Sequence, residues 1–110
     1  MNVQHKELAA GRWCTLSLLE QMANIGSEVE RTLKAKSQGD APRSQNAFER
    51  TLELLDLTLA DRKNRSRLRE VARVREAIVD FFFGSNQFQS TGEAWKKYFL
   101  QFAVAARKGR

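Results

Sequence analysis

Apolar residues recur along this chain with the period of an α-helix. Leu18, Met22, Ile25, Val29 and Leu33 step by 4, 3, 4 and 4 positions, which gathers them into one stripe. Ser17 and Glu20 precede that stripe at capping-box spacing, so a first helix is expected over about 18–36. Gly26 interrupts it. A mid-helix glycine costs about 1 kcal/mol against alanine, so its presence points to a neighbouring helix approaching closely. Residues 37–43 (SQGDAPR) read as a turn. A second helix is expected over 44–59, with Phe48, Leu52, Leu55 and Leu59 as its stripe, widened by Leu54, and Glu49, Glu53 and Asp56 as an acidic flank. Residues 61–65 read as the next turn. A third helix over 66–83 puts Leu68, Val71, Ala72, Val74, Ile78, Val79 and Phe82 on one half of its cylinder and Arg65, Arg69 and Arg73 on the other. Gly84 suits the position just past its end. After a loop over 84–91, Ser90 and Glu93 repeat the capping-box spacing. A fourth helix is expected over 92–107, with Trp95, Tyr98, Phe99, Phe102 and Ala106 facing inward.

No segment alternates apolar and polar residues as a half-buried strand would. Four amphipathic helices joined by short loops predict an all-α, up-down-up-down four-helix bundle. It should form a single domain over residues 1–110, with a short N-terminal arm over 1–16. Trp13 is placed to cap one end of that bundle.

Composition removes several chemistries. The only cysteine, Cys14, allows neither an intrachain disulfide nor a CxxC zinc site. The only histidine, His5, excludes an HExxH zinc site and a di-iron bundle. No metal and no cofactor is therefore expected, and no catalytic residues are assigned. Cys14 as a nucleophile would need a base, and His5 is near it in sequence only. No apolar run reaches 18 residues, so no membrane span is expected. Gln4, His5, Lys6 and Glu7 come before any apolar stretch, unlike a signal peptide. A cytoplasmic protein is the expectation.

Charge changes the picture more. Residues 1–61 hold 7 basic and 9 acidic side chains, and residues 62–110 hold 12 and 4. The halves therefore carry −2 and +8, which sum to the formal +6. A local positive field attracts polyanions. The densest stretch, 62–75 (RKNRSRLREVARVR), has seven basic residues and one acid. Arg62, Lys63, Arg65, Arg69 and Arg73, joined by Arg107 and Lys108 at the end of the fourth helix, are the candidate nucleic-acid ligands. Successive guanidinium groups on one face can meet successive phosphates. The competing reading is a solvated face partly neutralised by Glu70 and Glu76 at helical spacing. Base readout is not indicated, because no helix-turn-helix glycine pattern, zinc finger or RNP motif is present.

Two further constellations stand out. Arg75 falls between Val71, Val79 and Phe82 on the apolar half of the third helix, where a lone charge would be costly. Glu28 and Asp56 flank apolar stripes on other helices. The three are expected to form a buried structural ion pair or triad, and an enzymatic reading would use the same residues. Phe81, Phe82 and Phe83 spread over roughly 200° of helix, so they cannot all face one core. Phe81, Phe83 and Phe88 are the candidate oligomer interface, unless loop 84–91 folds back over them.

With the helices placed, 18–31 (LLEQMANIGSEVER) and 47–55 (AFERTLELL) are similar to the first and second core helices of a family of small four-helix-bundle proteins. Some members are encoded in 23S rRNA intervening sequences. A related branch is the accessory variability determinant of diversity-generating retroelements. The resemblance runs over roughly residues 17–105, although Gly26-Ser27-Glu28 replaces the Pro-Ser-Asn-type segment of the rRNA-associated branch. It implies a non-enzymatic, ring-forming homo-oligomer. In the retroelement branch it also implies a basic surface engaging nucleic acid and a reverse transcriptase. The expectation is thus an accessory of a ribonucleoprotein that binds RNA or DNA without sequence readout. The alternative is a protein-interaction module that works through its aromatic surface.

Overall fold

A computed structural model describes residues 11–108. Its α-helices are α1 (Leu18–Ser37), α2 (Ala41–Ala60), α3 (Leu68–Phe83) and α4 (Gly92–Lys108), with a 3₁₀ segment, Arg62–Arg67, leading into α3. Residues 11–13 are also helical, and no strand occurs among the described residues. The expected arm lies mostly outside the described residues. Its inner end is anchored by Trp13, which is buried and donates from Nε1 to Thr58 Oγ1 at 2.9 Å.

Local chemistry sets the boundaries. The Ser17–Glu20 capping box forms in both directions, with Glu20 N–H on Ser17 Oγ at 3.1 Å and Ser17 N–H on Glu20 Oε1 at 3.0 Å. At the other end of α1, Gly39 adopts φ 72°. Its N–H reaches Lys36 O at 3.1 Å and the Asp40 N–H reaches Ala35 O at 2.9 Å, a Schellman ending that favours glycine. The next helix begins at Ala41, three residues before the expected start. Asp40 caps it by accepting from Arg43 N–H at 3.2 Å, and Pro42 sits in the first turn, where its missing N–H costs nothing. The start of α4 is capped by Thr91 rather than Ser90: Thr91 Oγ1 accepts from Ala94 N–H at 3.0 Å.

The helices run antiparallel in chain order. Glu28 meets Arg50 and Thr32 meets Ser44 across α1 and α2. Asp56 meets Arg75 and Phe48 meets Phe83 across α2 and α3. Leu33 lies beside Gly92, and Gly26 beside Phe99, across α1 and α4. Tyr98 reaches Glu70 at 3.2 Å across α4 and α3. The core is built from the expected stripes: Met22, Ile25 and Val29, then Phe48 and Leu55, then Val71, Val74 and Ile78, then Trp95, Phe99 and Phe102. Ile25, Leu55 and Ile78 are fully buried, each contributing about 1.5–3 kcal/mol of apolar transfer. Leu57 joins the core unexpectedly, and Ala72 is exposed instead. A Cβ on Gly26 would stand 2.5 Å from Phe99 Cβ, so the glycine lets α4 press onto α1.

Candidate nucleic-acid interface

The basic stretch begins on a 3₁₀ segment, Arg62–Arg67, where a turn over 61–65 and an α-helix from 66 were expected. Three residues per turn eclipse i and i+3. That geometry sets Asp61 and Asn64 in one row and Arg62 and Arg65 in another. The inward row is buried, with Asn64 only 1% exposed, while Arg62 and Arg65 are exposed. Side chains in either row rise by about 6 Å per step. Arg69 and Arg73 continue along α3 at i, i+4, also about 6 Å apart, and both are exposed.

Ion pairing divides the cations. Lys63 is bound to Asp61. Arg67 is bound to Glu70. Arg75 is bound to Asp56 at 2.7 Å. Arg62, Arg65, Arg69 and Arg73 pair with no described carboxylate. Glu70, expected to screen the stripe, is turned toward Arg67 and the Tyr98 hydroxyl instead. Burial and the neighbouring Glu70 charge push the Tyr98 hydroxyl well above the usual phenol range, so it stays a donor. Arg107 and Lys108 are exposed in the last turn of α4. Antiparallel order brings that turn to the same end of the bundle as the 3₁₀ segment.

Beneath the cations lies a polar node that periodicity did not reveal. Gln21 Nε2 donates to Asp61 Oδ2 at 2.9 Å and to Trp13 O at 3.0 Å. Asn64 Nδ2 donates to Gln21 Oε1 at 2.8 Å and to Thr58 O at 3.0 Å. Burial alone would raise the Asp61 carboxyl. The hydrogen bonds from Lys63 and Gln21 outweigh it and hold the group below the usual carboxylate range. The sequence signal was available but weak: Gln21 and Thr58 sit beside apolar stripes, and Asp61 and Asn64 are three apart.

The expected buried triad does not assemble. Arg75 and Asp56 do pair, but their side chains are 35% and 52% exposed, so the pair is a surface one. Arg75 lies at the edge of its apolar face, and its head reaches solvent past α2. Glu28 is the buried member, and it binds Arg31 at 2.6 Å and Arg50 at 3.4 Å on the outer side of α1 and α2. Of the aromatic candidates, Phe83 and Phe88 are 62% and 61% exposed. Phe81 is half-buried and edge-packed on Phe82. Loop 84–91 does not cover Phe83. The loop is instead held by Asp80, whose carboxylate accepts from the Gln87 and Phe88 N–H groups at 3.0 and 3.1 Å.

Fold and site together define a class: an all-helical arrangement, among the described residues, with exposed cations clustered where α3 begins and α4 ends. No family model, curated protein or solved structure matches the chain, so its geometry carries the functional reading. No helix among the described residues is long and apolar enough to cross a membrane.

Proposed function

We propose that this protein is a non-enzymatic nucleic-acid-binding bundle acting in the cytoplasm. Arg62, Arg65, Arg69 and Arg73, extended by Arg107 and Lys108, engage the phosphate backbone of RNA or DNA without reading bases. One observation carries the reading. In a stretch where three other cations are each tied to a carboxylate, these four arginines are exposed and have no described acidic partner. The resemblance to ring-forming helical bundles supports a homo-oligomeric accessory of a ribonucleoprotein, such as a retroelement reverse transcriptase complex.

The test is a salt titration of binding to a labelled duplex DNA and a labelled structured RNA. Log affinity should fall linearly with log salt. On duplex DNA the slope should be about −3.6 if four phosphates are engaged and about −5.4 if six are. Reversing Arg65, Arg69 and Arg73 to Glu should abolish binding while the helical circular dichroism is retained. Equal affinity in that variant sinks the assignment.

A second reading draws on the exposed Phe83 and Phe88, which suit a protein partner. Salt-insensitive association with a protein, lost on Phe83→Ser, would favour it.

A further inference from the structure

We infer that the buried Gln21–Asp61–Asn64 node is the device that presents the cationic segment to phosphate, and that Lys63 is its strut rather than a phosphate ligand. The inference rests on the polyanion-binding reading above.

A short 3₁₀ turn has poor internal hydrogen bonds, and a run of like charges repels itself. Something outside the segment must hold residues 62–65 in place. Both Asn64 amide hydrogens are committed, one to Gln21 Oε1 and one to Thr58 O. Both Gln21 amide hydrogens are committed as well, to Asp61 and to Trp13 O. Reversing either amide would set acceptor against acceptor, so the network has one orientation. It ties the segment to α1, to the end of α2 and to the residues preceding α1. With Asn64 drawn inward, Arg62 and Arg65 are turned outward on the opposing row.

Lys63 completes the node from outside. Its ammonium donates to Asp61 Oδ2 and, at 3.2 Å, to Cys14 O. Asp61 Oδ1 accepts the Lys63 backbone N–H at 3.2 Å. The Asp61 side chain is only 7% exposed. Two of the three Lys63 ammonium hydrogens are thus committed, and swinging away to a phosphate would leave a buried carboxylate without its cation, which is strongly unfavourable. Arg62 and Arg65 carry no such tie. Neighbouring cations in one short segment therefore have different tasks.

The experiment uses the full chain and the same duplex DNA and structured RNA, comparing wild type with Arg65→Gln, Lys63→Met and Asn64→Leu. Arg65→Gln should reduce the salt slope by about 1, as removal of one phosphate contact does. Lys63→Met should leave the slope at its wild-type value while lowering the melting temperature. Asn64→Leu should reduce the slope by about 1–2 at a temperature where it remains folded, with faster amide exchange at residues 62–67. A Lys63→Met slope that falls as far as that of Arg65→Gln makes Lys63 a phosphate ligand and overturns the inference. So does a folded Asn64→Leu protein with wild-type slope, since the node would then support stability alone. If Asn64→Leu does not fold, the contrast between Lys63→Met and Arg65→Gln decides. A wild-type protein that binds neither probe instead removes the polyanion-binding reading itself.

Discussion

At the scale of single residues, context decides what a charge does. Lys63 and Arg65 are two positions apart and chemically alike, yet one faces a buried carboxylate and the other solvent. Glu28 and Asp56, both expected beside Arg75 in a buried cluster, part company for the same kind of reason. Asp56 pairs with Arg75 at the surface and Glu28 is buried against Arg31 and Arg50, because burial depends on how far each helix is rotated against its neighbours. Asp61 makes the clearest prediction here. Its carboxyl is held below its ordinary value of about 4, so the folded state binds fewer protons than the unfolded one as pH falls toward that range. Its stabilising contribution is complete above about pH 4 and is lost as the pH drops through the lower, folded-state value. Acid unfolding followed by circular dichroism should show this loss. Asp61→Asn should flatten the profile below about pH 4 and lower stability at neutral pH. An unchanged acid limb in the variant would refute the assignment.

At the scale of elements, ends and contacts were legible to different degrees. Ser17 and Glu20 announce the start of α1 because capping is a matter of a few adjacent residues. Ser17→Ala should cost about 0.5–2 kcal/mol, readable in a denaturant titration. Asp40 and Pro42 carried the same kind of signal for α2, but the chain there also reads as a turn, and a three-residue shift resulted. Gly26 is the instructive case. Its place in a helix implied a close neighbour, and the neighbour is Phe99. Gly26→Ala gains helix propensity of about 1 kcal/mol but forces overpacking that costs about 1–3 kcal/mol. With the added Cβ at 2.5 Å from Phe99 Cβ, the clash should win and the melting temperature should fall. A rise would mean that α4 can slide away from α1 without loss.

At the scale of the whole molecule, the two surfaces proposed for binding lie toward opposite ends of α3. The arginines without a described acidic partner run from the 3₁₀ segment to the middle of α3, and Phe83 and Phe88 mark its far end and the following loop. A nucleic acid and an apolar contact could therefore be engaged without competing. If Phe83 and Phe88 join copies of the chain, sedimentation should show mass rising with concentration. The double variant Phe83→Ser and Phe88→Ser should remain monomeric and bind nucleic acid with a weaker apparent affinity. A wild-type chain that stays monomeric at high concentration would remove the oligomeric part of the proposal.

The sequence by itself determined the number of long helices, their approximate spans and most of the core, because helical periodicity and caps are local. It also located the surplus of positive charge, because charge can be counted. Tertiary structure alone decided which cations pair with a carboxylate among the described residues. That outcome depends on distances between α1, the 3₁₀ segment and α3, which no spacing along the chain specifies. It also produced the Gln21–Asp61–Asn64 node, whose members are scattered among polar positions and become a unit only when buried together, where each unsatisfied amide would be costly.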